Sequence, residues 1–361
     1  MPNGMANPLE AVDSGTLIGA PLPLGAVRAW GHRYLAHSPT RAHPIAVALS
    51  GGADSVALLM AAQAAWPGAV EALHVNHGLQ AAAAQFAAVC ESLCVSQGVP
   101  LQVMAVQVAN GPGASLEAQA RKSRYAALAH AAICRNAQAV LLGQHADDQA
   151  ETVLLALTRG TGVPGLAAMG DHGVKHGVVF GRPFLALRGA ALRGYVGELG
   201  VAFVDDPTNL DQRHTRNRIR HSVLPELTRH FPSLVQTLAR TARHAAEASE
   251  LLDEMASADL SIVGNPPRLK NLRMLSRPRQ ANVLRHWLKV SAGAAPSTAQ
   301  MDELLDQIAD CTTRGHAIAI KVSGGMVRRL ADVLQHQPKS EGLVLETKRS
   351  DLDLPAKCPK V

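Results

Sequence analysis

Aromatic residues are scarce in this 361-residue chain: three Trp, three Tyr and five Phe make up 3% of it. Its core must therefore be aliphatic, with Ala abundant. Cysteines are also few. The five (Cys90, Cys94, Cys134, Cys311, Cys358) are odd in number and scattered, and none forms a CxxC pair. That argues against a structural zinc or a cysteine-held iron–sulfur cluster and fits a reducing cytoplasm. No run of about 18 apolar residues occurs, so no membrane span is expected. The first 25 residues lack a basic start followed by an apolar run, so they do not read as a signal peptide. Acids are outnumbered, 29 against 35 Lys and Arg, for a net charge of +6. This balance favours a polyanionic partner.

From Pro44 onward, short apolar runs alternate with helical patterns. The runs Ile45–Leu49, Ala69–Val75, Leu101–Val106, Ala139–Leu142 and Val178–Phe180 read as strands. The stretches Ser55–Ala65, Ala81–Gln97, Leu116–Cys134, Asp148–Leu157 and Ala190–Leu199 read as helices. The alternation predicts an α/β fold, a doubly wound parallel sheet, with ligands at the carboxyl ends of its strands. Beyond Pro225 the pattern changes to a long helix at 233–259, helices near Pro278–Val290 and Ala299–Cys311, and strands near His316–Val322 and Met326–Arg329. These patterns divide the chain into an N-terminal extension (1–40), a catalytic domain (41–225), a linker helix with a smaller, mainly helical domain (226–335), and a tail (336–361).

Between the first strand and its helix lies Ser50-Gly51-Gly52-Ala53-Asp54-Ser55. Two glycines let the backbone approach an anion, and a helix N-terminus offers free N–H groups to it. Ser50 and Ser55 add hydroxyls. Asp54 is a poor neighbour for bare phosphate, so it implies Mg²⁺ or a structural role. The lysine of a GxxxxGK[ST] loop is missing. After the fourth strand, Asp147, Asp148 and Glu151 crowd one helical turn and repel one another unless they hold a cation or solvent. His145 beside them can be a base, an oxygen ligand or a plain loop histidine. Arg121 and Arg124 share a helix face. Arg213, Arg216, Arg218 and Arg220 fall within eight residues, and 268–289 holds seven Lys or Arg and no acid. One-sign runs of this kind suit a phosphate backbone.

The Ser50–Ser55 loop resembles the SGGxDS loop of the ATP pyrophosphatases, which cleave ATP between the α and β phosphates. Within that group the chain resembles the tRNA(Ile)-lysidine synthase family over residues 44–330. The matching segments are His74-Val75-Asn76-His77-Gly78-Leu79, Glu117 to Tyr125 (ExxxRxxRY), His145 to Thr152 (HxDDxxET), Asp206-Pro207-Thr208-Asn209 and Arg216 to Arg220 (RNxIR). Gln80 departs from the family, which has a basic residue there.

The resemblance implies ATP, Mg²⁺, a cytosolic isoleucine tRNA with a CAU anticodon, and free lysine as the reactants. It implies an ATP site of Ser50, Gly51, Gly52, Ala53, Asp54, Ser55, His74 and Asn76. Asp54, Arg121, His145 and Asp148 are the implied catalytic set, with Asp54 and Asp148 on the metal. Arg216, Arg220, Arg273, Arg277 and Arg279 are the implied tRNA contacts. Long family members carry one further C-terminal domain, for which this chain is too short. Two other reactions share the fold, tRNA thiolation and small-molecule amidation. The first lacks a suitable cysteine pair, and the basic second domain argues against the other.

Overall fold

The computed structural model describes residues 22–76, 83–106, 116–205, 213, 215–293, 295–311, 313, 316–322 and 325–338. Strand β1 (Ile45–Ala48) alternates its side chains between two cores, Ile45 and Val47 in one and Ala46 in the other. β2 (Val70–Asn76) divides Val70 and Ala72 from Leu73 in the same way, and β4 (Ala139–Leu141) divides Ala139 and Leu141 from Val140. Strands buried on both faces belong to the middle of a parallel sheet, which is why they read as unbroken apolar runs. The sheet has six strands in the order β3-β2-β1-β4-β6-β5, adding β3 (Leu101–Ala105), β5 (His172–Lys175) and β6 (Val178–Gly181). All neighbours are parallel except the β5–β6 pair.

Helices α1 (Leu22–Tyr34), α2 (Ala53–Ala65), α3 (Ala83–Gln97) and α7 (Gly189–Glu198) supply Val27, Leu59, Leu93 and Val196 to one core. Helix α4 (Leu116–Cys134) supplies Tyr125, Leu128 and Ala132 to the other. α5 (Ala146–Thr158) precedes the single turn α6 (Val163–Leu166). A short helix, α8 (Thr215–Arg218), runs through a π-helical turn at Ile219–Val223 into α9 (Leu224–His230). Strand order reverses between β1 and β4, since β2 and β3 lie on one side and β6 and β5 on the other. The loops after β1 and β4 therefore flank the crevice where such sheets bind ligands.

Two features go beyond the sequence expectations. Within the N-terminal extension, α1 buries Val27 and Trp30 in the sheet core. Gly31 in α1 lies so close to Trp66 that a Cβ would stand 2.5 Å from its ring. The strand at 178–180 is half of a hairpin. β5 precedes it, joined by His176 and Gly177 at φ +50° and +77°, the conformation a two-residue turn of this hand needs.

The chain divides into two compact units, the first running to Arg243 and the second starting at His244. The division falls inside α10 (Leu234–Val263). The second unit adds α11 (Leu269–Leu272), α12 (Arg277–Ala292), α13 (Thr298–Asp310) and an antiparallel sheet of β7 (Ala319–Val322), β8 (Gly325–Leu330) and β9 (Val333–Pro338). Its core joins Leu284, Trp287, Met301, Ile308, Ile320 and Val327. Pro278 stands in the first turn of α12 and Gly293, at φ +58°, follows its end, the usual punctuation of a helix. Among the described residues, no helix is long and apolar enough to cross a membrane.

Candidate functional site

The first wall of the site is the Ser50–Gly52 turn. Gly51 has φ +89°, and a Cβ there would meet Cys90 Sγ at 3.4 Å, so the position favours glycine. Ser55 is buried. It accepts the Ser50 backbone N–H at 3.1 Å and donates its hydroxyl to the Gly52 carbonyl at 2.9 Å. The Ser55 hydroxyl is thus spent on closing the turn. α2 begins at Ala53, two residues earlier than its pattern suggests, and Gly52 supplies no side-chain cap. The free N–H groups of that first turn remain for an anion. His74, buried at the end of β2, donates Nδ1–H to the Leu49 carbonyl at 2.9 Å and so pins the start of the turn.

These residues line a cavity of about 570 Å³, a volume suited to a nucleotide-sized ligand. Ser50, Gly52, Ala53, Asp54, Ser55, His74 and Asn76 form part of its wall, and Arg124, Gln144, Asp148, Arg193, Asp205 and Arg220 supply further polar groups to it. Arg124 takes the place in the wall expected for Arg121. Arg121 instead packs its guanidinium 5.3 Å from the Tyr125 ring centre and reaches the Tyr125 hydroxyl at 3.4 Å.

The second wall is the start of α5. Gly143 lets it approach α2: a Cβ there would lie 2.9 Å from the Asp54 backbone carbon and oxygen. His145 caps α5 and is nearly buried, with Nε2 3.5 Å from Asp54 and 3.6 Å from Asp148, and Nδ1 3.3 Å from Asp147. Burial alone would lower its pKa, but hydrogen bonds to Asp147 and Asp54 and the field of Asp148 raise it to about 10. The Asp147 N–H also lies 3.2 Å from Nδ1, a bond that needs that nitrogen unprotonated. Three carboxylates around one ring outweigh it. The three acids thus favour the protonated ring, which then sits as a cation between carboxylates. Asp147 is itself held down to about 2. Burial opposes this, but His145, the Gly189 N–H and Arg188 prevail. Arg188 and Gly189 donate to it at 3.0 and 2.8 Å.

The crowded acids hold their cations from within the chain. Glu151 is fully buried. It accepts Arg216 Nε at 2.7 Å and Arg220 Nε at 2.5 Å, and Asp148 Oδ1 accepts Arg220 at 3.0 Å and Arg216 at 3.4 Å. Arg216 and Arg220, expected on tRNA, are thus paired inside the catalytic unit. Asp148 Oδ2 accepts the His145 N–H, so both its oxygens are engaged, which disfavours a metal there. Asp54 differs. Its side chain is 41% exposed and its one recorded partner is His145. Among the described residues no group of three or more His, Cys, Asp or Glu side chains is arranged to hold a metal. The donor set fits Mg²⁺ shared between Asp54 and substrate phosphates, rather than a cage of protein ligands. We expect Asp54→Ala to lower pyrophosphate release at least tenfold, about 1.4 kcal/mol of barrier, with near-normal turnover contradicting that role.

Three further expected tRNA contacts are occupied within the second unit. Arg273 donates to the Ile308 carbonyl at 3.0 and 3.2 Å, Arg277 pairs with Asp306 at 2.7 Å, and Arg279 grips the fully buried Asp259. Arg279→Ala strands that buried carboxylate. It should lower the melting temperature by several degrees, whereas Arg285→Ala, exposed and without a recorded partner, should leave it unchanged; equal melting curves would contradict this. The sequence reading missed Arg182, Arg188 and Gly143. Only Gly143, beside the acid cluster, carried a local signal. The expected contacts at His77–Gln80 and Asp206–Asn209 and the Glu117 side chain lie outside the described residues.

Residues 31–227 match the PP-loop domain, and 268–334 match the TilS substrate binding domain. The chain is 56% identical to the tRNA(Ile)-lysidine synthase of Polaromonas naphthalenivorans, over 81% of its own length and 88% of that protein's. It is 39% identical to that of Burkholderia mallei over 86% of its own length, spanning 64% of the longer relative. The U34-tRNA thiolase NcsA of Methanococcus maripaludis, solved with its [4Fe-4S] cluster, superposes with a TM-score of 0.50 at 18% identity, over 62% of this chain and 78% of that one. That likeness concerns the fold alone. The uncapped turn at the sheet's switch point, the PP-loop match and the similarity to curated relatives across four-fifths of the chain agree: the chain belongs to the tRNA(Ile)-lysidine synthase family.

Proposed function

We propose that the chain adenylates the wobble cytidine of an isoleucine tRNA with a CAU anticodon, in the cytoplasm, and then joins free lysine to it. In the first step the cytidine O2 attacks the α-phosphorus of ATP and pyrophosphate leaves. In the second the lysine amine attacks C2 and AMP leaves, giving lysidine. The observation that carries this reading is the uncapped start of α2 behind a glycine turn, opening into a cavity whose far wall includes Asp148 and Arg220, which are charge-balanced with Glu151 and Arg216 behind them.

The first-turn N–H groups of α2 hold phosphate oxygens, and Arg220 and Arg193 add positive charge from the cavity wall. Mg²⁺, bound with ATP at Asp54, supplies neutralisation of phosphate charge. His145 stays protonated and steadies Asp54. The lysine ammonium must lose a proton before it attacks. Asp54 and Asp205 are carboxylates on the cavity wall placed to attract it, and a wall carboxylate is the proton acceptor. Arg193, on the same wall and paired among the described residues only with the exposed Asp205, turns to its α-carboxylate.

Ammonia lacks the carboxylate, and arginine stays protonated and unreactive. In parallel incubations with ATP and the tRNA, lysine alone should therefore yield a modified nucleoside, while ammonia, glutamine and arginine yield none. Equal product with ammonia would overturn the amine assignment and leave ATP cleavage standing.

A further inference from the structure

Four cations gather around Tyr125 at the edge of the cavity, and among the described residues none has a carboxylate partner. Arg182 is buried, yet its guanidinium donates only to neutral acceptors: the Gly170 carbonyl at 2.9 Å, the Tyr125 hydroxyl at 3.2 Å and the Gln144 side-chain oxygen. Arg121 donates to the same hydroxyl. Lys175, exposed on β5, holds its ammonium 4.2 Å from the Tyr125 ring centre. Arg124, also exposed, lines the cavity. Three other guanidinium groups of the unit are matched, Arg135 by Glu71, Arg188 by Asp147 and Arg193 by Asp205. A buried cation without a counter-charge is unfavourable unless an anion completes it.

The arrangement says which anion. Lys175 and Arg121 are not part of the cavity wall, so their ligand lies beside the nucleotide cavity rather than in it. The cluster spans α4, the β5–β6 hairpin and the residue after β6, a spread that suits an extended backbone better than one small carboxylate. We propose that this rim holds a phosphodiester of the tRNA strand next to the reacting nucleotide, with Lys175 as its outermost contact. The inference rests on the tRNA reading above. It moves backbone recognition toward the catalytic unit, because Arg277 and Arg279 are already paired with carboxylates.

Lys175→Gln tests it, since that exposed side chain has no recorded contact but the Tyr125 ring. Binding of tRNA is measured across a salt series, beside ATP affinity and the KM for lysine. The variant should bind several-fold more weakly at low salt, and its slope of log K against log salt should be shallower by about 0.7–0.9, the release of one phosphate's counterions. The loss should be equal for isoleucine tRNA and an unrelated tRNA, because phosphate carries no sequence. ATP affinity and lysine KM should not move. Unchanged affinity and slope in both Lys175→Gln and Lys175→Glu would overturn the proposal. A raised lysine KM with unaltered tRNA binding would assign the cluster to the amino-acid carboxylate instead. A wild-type protein that binds no tRNA would overturn both this and the reading it rests on.

Discussion

Glu151→Gln is expected to lower pyrophosphate release about a hundredfold and to reduce unfolding free energy by about 3 kcal/mol. Glu151 is fully buried and receives Arg216 on one oxygen and Arg220 on both. An amide of the same shape removes the charge and turns an N–H toward two guanidinium donors. Breaking a buried pair by removing one partner typically costs about 3–5 kcal/mol. The lower end applies here, because Arg216 and Arg220 are each about a third exposed and regain some water. The activity loss has a separate cause. Arg220 and Asp148 both line the cavity, and a displacement of about 1 Å can cost a hundredfold in rate. Chemical denaturation read beside pyrophosphate release separates the two effects. A variant with wild-type stability and turnover would show that the cluster is ornamental to the site.

Gly143→Ala should do comparable damage to catalysis with a smaller effect on stability. The added methyl would sit 2.9 Å from the Asp54 carbonyl carbon and oxygen and 3.1 Å from the Ser55 nitrogen, all backbone atoms. Backbone cannot swing aside as a flexible side chain can, so the starts of α2 and α5 must separate. That moves the free N–H groups and Asp54 away from the phosphates and pulls His145 from Asp54. We expect pyrophosphate release to fall about a hundredfold, with overpacking taking about 1–3 kcal/mol from stability. Gly194→Ala is the control, since a methyl there meets nothing within 4 Å. Matching activities for the two variants would contradict the close approach.

The parts of the fold legible in the sequence were those whose signal is local. β1, β2 and β4 stand out as apolar runs because both their faces are buried, and the Ser50–Ser55 turn shows as two glycines between a strand and a helix. α1 was hidden because its core contacts, Val27 and Trp30, sit in an otherwise mixed segment. β5 was hidden because three of its four residues are exposed, leaving no alternation to read. The acid cluster was legible as a problem but not as its solution. Asp147, Asp148 and Glu151 plainly need cations, and composition suggested a metal. The cations that answer them are Arg188, Arg216 and Arg220, the last two 65 and 69 residues from Glu151. Charge runs misled in the same way. Arg273, Arg277 and Arg279 look free in the sequence because their partners, the Ile308 carbonyl, Asp306 and Asp259, lie outside the run.

The central claim is that one cavity activates a tRNA cytidine with ATP and hands it to lysine. Nucleoside mass spectrometry tests it most directly. Isoleucine tRNA with a CAU anticodon is incubated with the protein, ATP, Mg²⁺ and isotopically labelled lysine, then digested to nucleosides. One cytidine per tRNA should gain the mass of labelled lysine less water, with one pyrophosphate released for each, and nothing should form when ATP is omitted. Pyrophosphate released with every cytidine left unmodified, or a modified base free of the lysine label, would contradict the account.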